Sequence, residues 1–436
     1  MTVIFTGMRK SGRIDLEAIE MATRASMHHA GATVLKHLLV SLPPADAERE
    51  IDCPCGHKAH YVEMRSKQVF TVVGRVTIER AYYLCRHCHE GQSPWDQELD
   101  VASGPCSPGV RRMMAVVGSE SPFQQGRGQL HLLADLDVPA KAIERQAEAI
   151  GADIAKREQN KIGRTIQLEL PQILSPSVAK LYIEMDGTGI PVVKAETEGR
   201  AGKNEGQSAH TREVKLACLF TQTKCDDKGR PIRDEASTTY VGAIETAEEF
   251  GPRVYTEAWE RGWSRAVLKV ILADGSIWIW NIADQHFPGA IQIVDIYHAR
   301  QHIWEIAAKL FPDDQKLKKS WARKLIRKLN AGRIKSLVAE LRTFPGLSQE
   351  LQATLNTEAD YFERNTSRMR YPKFRKMGLF IGSGVIEAGC KTVIGSRLKQ
   401  SGMFWTVRGA NAIIALRCNR LSGKFEDYWE NRSKAA

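Results

Sequence analysis

A β-prone run that leads into an acidic residue constrains this chain more than any other stretch. Residues 181–194 read LYIEMDGTGIPVVK, so apolar and aromatic side chains deliver Asp186 to the end of a predicted strand. Gly187-Thr188-Gly189 predicts a tight turn, and Ile190 to Val193 predict a second strand. The pattern has two interpretations: an ordinary Asp-Gly hairpin, or a hairpin that places a carboxylate where a functional site needs it.

Two later strand patterns also end on acidic residues. Val267 to Leu272 is a nearly continuous apolar run, as a buried central strand requires, and Asp274 follows it on a predicted turn. Ala290 to Val294 is a shorter buried strand that ends on Asp295. Between the two, Ile277 to Trp280 start either a helix or a short strand.

The order of these elements indicates a mixed α/β sheet. Strands at 213–220 and 237–241 and a helix at 247–261 separate the Asp186 strand from the Asp274 strand. This order resembles an RNase H-like sheet, in which the first and central strands are adjacent. Asp186 and Asp274 would then face each other, and two such carboxylates are costly unless a divalent cation neutralises them.

Cysteine pairs flank a predicted hairpin nearer the N-terminus. Cys53-Pro54-Cys55-Gly56 precedes a hairpin predicted over residues 68–83 with its turn at Gly74, and Cys85-Arg86-His87-Cys88 follows it. Two cysteine knuckles joined by a hairpin predict a zinc ribbon, in which Zn²⁺ stabilises a module too small to bury its own core. The first knuckle has only one residue between its cysteines, so His57 is an alternative ligand. Four unrelated buried thiols are the other interpretation.

The segments on either side of the ribbon are predicted to be helical. Residues 13–43 have apolar side chains at helical spacing, which Pro43-Pro44 stops, and residues 105–170 contain three helical patterns separated by Pro and Gly. Short helices of this kind suit a helix-turn-helix that presents basic residues to a DNA groove. Ordinary helical packing would give the same pattern.

The C-terminal part departs from the α/β alternation. Residues 299–377 are basic, amphipathic and helical, which indicates an all-helical insertion in the core. Glu387 then lies on a helix that begins near Ser383, a plausible N-cap. Asp186, Asp274 and Glu387 are therefore carboxylates on three elements, and such a set can hold the two hard cations that phosphodiester cleavage needs.

Composition fits a folded protein with a polyanionic partner. The chain has 436 residues, 43% hydrophobic and 26% charged, which allows two or three globular domains. Its net charge of +11 favours a polyanion, although a basic balance also serves solubility. Without a membrane-length apolar run or a signal-peptide pattern we expect a cytosolic protein. Its nine cysteines would then be metal ligands or buried thiols.

Four motifs carry a specific resemblance. They are MDGTGIPVVK at 185–194, LADGSIWIW at 272–280, IVDIYHARQH at 293–302 and GSGVIEAGCKTVIGSRLKQSGMFW at 382–405. From the zinc ribbon onward the chain resembles a bacterial insertion-sequence transposase of the DDE class, of the ISKra type, and is distantly similar to Mutator-like transposases.

This resemblance implies a site and a reaction. Asp186, Asp274 and Glu387 would be the triad that binds Mg²⁺ or Mn²⁺, two ions in all. Asp295-x-x-His298 resembles the D/C-x-x-H signature that these transposases carry, which implies a place beside the active site; a structural Asp–His hydrogen bond is the alternative. The enzyme would bind double-stranded DNA at the element's terminal repeats and at the target. Synapsis of two ends implies at least a homodimer on DNA, associated with the bacterial nucleoid.

Cations near the C-terminus suit contacts with DNA phosphates, which set affinity and register rather than sequence preference. A solvated basic face is the alternative for each of them. Phe404 and Trp405 could stack on an unpaired base or pack in the core. A last helix is predicted from Thr406 to Leu421. The candidate DNA-binding cations are Lys391, Arg397, Lys399 and Arg408, with Arg417 and Arg420 further along.

The predicted architecture is a multidomain α/β protein: an RNase H-like mixed-sheet core with an all-helical insertion, preceded by a zinc ribbon and a helical DNA-binding region. Its expected segments are a helical N-terminal segment (1–45), the zinc ribbon (46–104), a possible helix-turn-helix region (105–175), the first part of the core (176–298), the insertion (299–377) and the C-terminal core helices (378–436).

Two other functions fit part of the pattern. A zinc-ribbon protein that binds a specific DNA sequence, with an inactive nuclease-like core, would bind DNA without cutting it. The presence of all three carboxylates disfavours that interpretation. A cellular RNase H-like nuclease or resolvase would act on branched DNA. It is disfavoured because a structure-specific nuclease needs no separate sequence reader.

Overall fold

The computed structural model describes residues 9–10, 13–41, 49–169, 177–202 and 209–432. The chain forms two compact units, Met1–Ala149 with Asn431–Ala436, and Ile150–Glu430. The predicted helix stop at Pro43-Pro44 lies outside the described residues.

A four-stranded antiparallel sheet organises the first unit. Its strands, in order across the sheet, are β1 (Glu50–Asp52), β2 (Lys58–Thr71), β3 (Gly74–Cys85) and β4 (Gly91–Gln92). β2 and β3 form the predicted hairpin, but it is longer than expected and turns at Val72-Val73. Gly74, at φ 116°, is the first residue of β3. Since Ala59 pairs with Cys85, both cysteine knuckles lie at the same end of the sheet.

Helices cover this sheet at the hairpin end and follow it along the chain. Short strands Arg9–Lys10 and Arg13–Ile14 pair before the first helix. The buried cluster around Val69, Val76 and Trp95 packs against Leu35 and Leu39 of the first helix. The helical region is interrupted at Ser121-Pro122, resumes as Phe123–Ala134, and begins again at Ala140. The helices are α1 (Leu16–Ser41), α2 (Pro94–Glu98), α3 (Pro108–Glu120), α4 (Phe123–Ala134) and α5 (Ala140–Ile166), the last of which contains the boundary between the units.

A mixed five-stranded sheet forms the centre of the second unit. Its strands are β5 (Lys180–Pro191), β6 (Thr211–Gln222), β7 (Thr239–Ala243), β8 (Leu268–Ala273) and β9 (Ile291–Val294), in the order β7-β6-β5-β8-β9. β5, β6 and β7 pair antiparallel, whereas β8 is parallel to both β5 and β9. The predicted adjacency of the first and central strands is confirmed, because Leu272 of β8 pairs with Glu184 of β5.

The predicted turn at Gly187-Thr188-Gly189 is wrong. β5 runs straight through these residues to Pro191, and they pair with Lys215, Val214 and Glu213 of β6. The ladder to a long neighbouring strand outweighs the local turn preference of Asp-Gly. A Cβ at Gly187 would lie 2.5 Å from the Glu213 carboxylate, so that exposed side chain would have to move aside. Asp186 is therefore inside a long strand rather than at a hairpin corner.

The remaining helices of the chain surround and extend this sheet. The ambiguous run Ile277 to Trp280 is helical, and it buries Ile279 and Trp280. A small hairpin pairs Lys224–Cys225 with Pro231–Ile232. The helices are α6 (Ala247–Glu260), α7 (Ile277–His286), α8 (Ile296–Leu310), α9 (Gln315–Asn330), α10 (Ile334–Arg342), α11 (Gln349–Arg364), α12 (Tyr371–Lys376), α13 (Gly384–Gly389), α14 (Ser396–Leu398), α15 (Val407–Leu421) and α16 (Phe425–Asn431). Cys390–Gly395 forms a π-helical turn between α13 and α14.

None of these helices, over the ranges that the structure describes, is long and apolar enough to cross a lipid bilayer.

Candidate functional site

Three carboxylates lie near one another beside the C-terminal end of β8, in the second unit. Because Leu272 pairs with Glu184, the parallel register brings Asp274 level with Asp186 two residues further on. Glu387 is exposed in the first turn of α13. Burial raises the pKa of Asp186, and the charges of Asp274 and Glu387 raise it further. The site therefore concentrates negative charge, as a cation site does before it is loaded.

Hydrogen bonds fix the two aspartates in different ways. Asp186 accepts the N–H of Gly187 at 2.7 Å, and the Cys390 Sγ lies 3.6 Å from its other oxygen. Asp274 accepts the backbone N–H of Ser276 at 2.8 Å and the Ser276 hydroxyl at 2.9 Å. Each aspartate thus keeps a defined orientation while it remains partly accessible.

The turn that carries Asp274 is held from the helical segment. Tyr361 of α11 donates its hydroxyl to the Asp274 carbonyl at 3.1 Å. Its ring lies so close to Gly275 that a Cβ there would approach within 2.7 Å of a ring carbon. Gly275, at φ 107°, is thus required for both its backbone conformation and this contact. The helix α11 therefore positions the backbone of a candidate site residue.

A buried carboxylate that the sequence analysis missed joins β5 to the Glu387 helix. Glu184 is completely buried and accepts the backbone N–H of Ile386 at 2.9 Å. An acidic residue inside the apolar run LYIEM was the available signal, because side chains of a sheet buried on both faces are otherwise apolar. Glu184 acts as a positioning residue for the turn that carries Glu387.

Asp295 is a second anchor for the same helix. Its Oδ1 accepts the backbone N–H groups of Tyr297 and His298, which caps α8. Its Oδ2 accepts the N–H of Ser383 at 2.9 Å and also the Ser383 hydroxyl. Ser383 therefore stands at the N-cap position of α13, but its side chain bonds Asp295 rather than capping the helix. Asp295 ties the ends of β9 and α13 together.

His298 belongs to a different network. Its Nε2 lies 3.3 Å from Nε2 of His302, whose Nδ1 lies 2.7 Å from a Glu358 carboxylate oxygen. The His302 ring stacks on Tyr361 with a centroid separation of 4.1 Å. Asp295 and His298 are thus joined through a backbone N–H and not through a side-chain Asp–His hydrogen bond.

The carboxylate oxygens offer the ligand type that Mg²⁺ prefers. The three carboxylates do not form a closed cage. Within the described ranges, ligand atoms of three or more His, Cys, Asp or Glu residues lie within 4.8 Å of one another only in groups that include a ribbon cysteine. Without a cation, carboxylates of like charge repel one another. This repulsion fits both the separation of the three carboxylates and the raised pKa of Asp186. The chemistry of the donor set fits a hard divalent cation.

The ribbon cysteines do form a compact group. The sulfurs of Cys53, Cys55, Cys85 and Cys88 lie within 4.8 Å of one another. The Sγ–Sγ distances are 3.4 Å for Cys53–Cys55, 3.5 Å for Cys53–Cys88 and 3.6 Å for Cys55–Cys85. A tetrahedral Zn²⁺ with Zn–S distances of about 2.3 Å requires sulfur separations of about 3.8 Å. A backbone hydrogen bond from Cys88 is the main cause that lowers the pKa of Cys85 to about 6, whereas burial and the neighbouring sulfurs raise the pKa values of Cys53, Cys55 and Cys88. The short sulfur separations, and not the pKa values, are what a zinc site requires. This group could therefore hold a zinc ion.

His57 lies beside this group and not in place of a cysteine. Its Nδ1 is 3.6 Å from the Cys55 sulfur, and its ring stacks on His87 at a centroid separation of 3.7 Å. The single-residue spacing of the first knuckle is accommodated by a turn in which Gly56 adopts φ 83° and donates to the Cys53 carbonyl. All four sulfurs converge without help from the histidine.

The candidate DNA-binding cations divide by exposure. Lys391, Lys399 and Arg408 are exposed, and Lys399 bonds the Thr188 hydroxyl of β5. Arg397 is completely buried, with its guanidinium 5.0 Å from the centre of the Trp405 ring. A buried guanidinium cannot contact a phosphate from this position, because the protein covers it.

Arg417 and Trp405 are also structural. Arg417 donates to the carbonyls of Val393 and Thr392 in the π-helical turn. Trp405 is buried and donates its indole N–H to the Leu398 carbonyl, whereas Phe404 is 67% exposed. Of the two aromatic residues considered for base stacking, only Phe404 is available on the surface.

Glu184 makes the stability of the second unit depend on pH. Burial, with repulsion from Asp295 and Glu387, raises its pKa to about 8 from an ordinary value of 4.5. The folded state thus holds a proton that the unfolded state has released, so the free energy of unfolding falls as pH rises from 4.5 to 8, by about 1 kcal/mol per pH unit. We expect Glu184→Gln to flatten this dependence in urea unfolding at pH 5.5 and 8.5 without added Mg²⁺. The exposed control Glu198→Gln should keep the wild-type slope; an equal slope in Glu184→Gln would refute the assignment.

Comparison with known proteins gives one sequence relative. No family model matches the chain. It is 22% identical over 378 residues to the UPF0236 protein in the vanSb 3′ region of Streptococcus gallolyticus, covering 84% of this chain and 75% of that protein. A chain of the Drosophila P element transposase strand transfer complex aligns with a TM-score of 0.27 and 8% identity, over 78% of this chain and 84% of that one. A TM-score this low does not establish a shared fold. The chain is thus similar, along most of its length, to a UPF0236 protein.

Proposed function

We propose that this protein is a DDE-type DNA transposase with an RNase H-like core. The observation that carries the proposal is that Asp186 lies in β5 and Asp274 directly follows β8, the parallel neighbour of β5. Asp274 and Glu387 are both close enough to raise the pKa of Asp186. The strand order β7-β6-β5-β8-β9, with three antiparallel strands followed by two parallel ones, supports the RNase H-like assignment. The four motifs that resemble ISKra-type transposases contain the same three carboxylates.

The residues of the site have distinct tasks in this proposal. Asp186, Asp274 and Glu387 would hold two Mg²⁺ or Mn²⁺ ions, which activate the attacking oxygen and stabilise the leaving oxygen when bound. Glu184 and Asp295 fix the turn that carries Glu387, since they accept the N–H groups of Ile386 and Ser383. Binding the cations offsets the repulsion among the carboxylates, so the site is complete only when loaded.

Strand cleavage and strand transfer use the same geometry. Water attacks a phosphodiester at the element end, the bond to the 3′ oxygen breaks, and a free 3′-hydroxyl results. That hydroxyl then attacks a phosphodiester of the target, so the element end is joined as a target strand is broken. No covalent bond to the protein is formed in this scheme, because water and then the 3′-hydroxyl are the nucleophiles.

The ribbon and the helices α3 to α5 are the proposed readers of the terminal repeats. The cysteine group fixes the end of the β2–β3 hairpin. α3 and α4 follow it, separated only by Ser121-Pro122, which is compatible with a helix-turn-helix. DNA recognition and chemistry would thus be assigned to separate parts of the chain.

Strand cleavage on DNA that carries the element's own ends tests this function. Wild type and Glu387→Gln are compared on a supercoiled plasmid with and without those ends, in Mg²⁺ or Mn²⁺. We expect metal-dependent nicking at the ends by wild type and its loss in the variant. Tight binding without cutting in either metal would instead identify a sequence-specific DNA-binding protein with an inactive core. Equal cutting of both plasmids would identify a nuclease that does not recognise ends.

A further inference from the structure

The helix α9 of the helical insertion has an unusual distribution of charge. It contains seven Lys and Arg residues and no Asp or Glu. Its apolar face is buried through Ala322, Leu325 and Leu329. Two of its cations, Lys324 and Lys328, both contact the Glu340 carboxylate of α10, at 2.9 and 2.5 Å. These two ion pairs hold α9 against α10. They do not account for the other cations of α9.

That other set lies along one stripe. Lys316, Lys319, Arg323 and Arg327 are exposed and line one shallow depression together with Ser320 and Ile326. Their spacing of three or four residues places them on the same face of the helix. None of the four has an ion-pair partner within the described ranges. The stripe is about 16 Å long, since each helical residue rises by 1.5 Å.

We infer that this stripe, Lys316, Lys319, Arg323 and Arg327, is a docking surface for the phosphate backbone of duplex DNA. The inference rests on the proposed function and assigns part of its DNA contact to the insertion. Four exposed cations, on a helix whose nearest acidic residue is its N-cap Asp314, match a partner that carries one negative charge per 1.7 Å of its axis. A stripe of this length spans several phosphates of one duplex face.

The chemistry of the stripe favours a duplex backbone over a single strand. A single strand is ordinarily held by aromatic side chains on which its bases stack, in addition to cations. The aromatic residue of this helix, Trp321, is instead half-buried and packs edge-on against Phe311 and Phe344. The depression therefore offers charge and no stacking surface, so contact would be independent of sequence.

Salt-dependent binding of the full chain to a 30-base-pair duplex of arbitrary sequence tests the inference. We compare wild type with Lys316→Gln/Lys319→Gln/Arg323→Gln/Arg327→Gln. A charge-matched control removes four exposed cations of α8, α10 and α11 and of the α10 N-cap: Lys309, Arg333, Lys335 and Arg364, each changed to Gln. A third variant, Arg323→Lys/Arg327→Lys, keeps the charge of the stripe.

We expect the stripe variant to bind at least about tenfold more weakly at 0.1 M salt. Its slope of log K against log salt should be smaller by about 0.9 for each lost phosphate contact, up to about 3.6 for four. The charge-matched control and the Lys variant should stay near wild type, and circular dichroism should show the same helix content in all four proteins.

The outcomes separate this inference from the proposed function. An unchanged slope in the stripe variant, or an equal loss in the charge-matched control, would overturn the inference, while metal-dependent cleavage by wild type would still support the transposase. If the stripe variant lost affinity for single-stranded DNA or for polyglutamate but kept its affinity for the duplex, the assignment to duplex DNA would be overturned. A wild type that neither binds nor cleaves duplex DNA would overturn both.

Discussion

Asp274→Asn should abolish DNA cleavage, with a loss on the order of 10³-fold or more, while the second unit stays folded. The change removes one negative charge from a site where Asp186 and Glu387 already repel each other. Without divalent cations the variant should therefore be at least as stable as wild type. The Asn side-chain oxygen can still accept the Ser276 N–H that Asp274 accepts at 2.8 Å. A loss of cation binding removes several kcal/mol of transition-state stabilisation, and each 1.36 kcal/mol is a factor of ten in rate.

Thermal unfolding with and without Mg²⁺ gives a readout that does not depend on activity. Cation binding to the folded state should raise the Tm of wild type but not that of Asp274→Asn. Asp284→Asn is the matched control, since Asp284 is an exposed carboxylate of α7 that bonds Gln292 outside the site. It should keep both cleavage and the Mg²⁺ shift. Full cleavage by Asp274→Asn, or an equal loss of end binding and cleavage, would remove Asp274 from the catalytic set.

The local sequence predicted the elements of the second unit well because the sheet is buried. A strand covered on both faces must be nearly continuous in apolar side chains, and the runs at 181–185 and 267–272 have that property. Since an acidic residue follows each of these apolar runs, at Asp186 and within two residues at Asp274, both could be named from sequence. Their alignment depends on which strands pair, which only the structure gives.

The failures of the sequence analysis all involve long-range partners. Gly187 and Gly189 lie inside a strand because β6 supplies a ladder of hydrogen bonds that no local pattern encodes. Ser383 bonds Asp295 rather than its own helix, across 88 residues of sequence. Arg397 has the residue type of a phosphate ligand but lies in the core against Trp405. Charge alone therefore did not separate a surface cation from a buried one.

Glu184 was missed because the sequence does not show how deeply an acidic residue is buried. Its carboxylate is two residues from Asp186, so strand periodicity placed both on the same face of β5. What distinguishes them is depth. Glu184 is completely buried and accepts the Ile386 N–H, whereas Asp186, further along β5, is partly accessible. A sequence shows that two acids share a face but not which of them reaches solvent.

Removal of zinc should unfold the knuckle end of the first unit. The buried cluster there is small and includes two of the ligands themselves, Cys53 and Cys85, with Ala59 and Tyr83. A structural zinc site contributes roughly 10–16 kcal/mol of apparent binding free energy at neutral pH, which is comparable to or larger than the stability of a whole domain. We expect a chelator to lower the Tm of this unit by at least about 15 °C. Amide exchange should rise strongly over residues 50–62 and 83–92.

The far end of the hairpin provides the internal reference for this experiment. Val69, Val76 and Trp95 form a separate buried cluster against Leu35 and Leu39 of α1, so their segment should keep more of its protection from exchange. Cys85→Ser should reproduce the effect of the chelator and reduce zinc content, whereas Cys106→Ser, outside the ligand group, should bind zinc normally. Full zinc content in Cys85→Ser, or a Tm that the chelator leaves unchanged, would show that these four sulfurs hold the hairpin by packing alone.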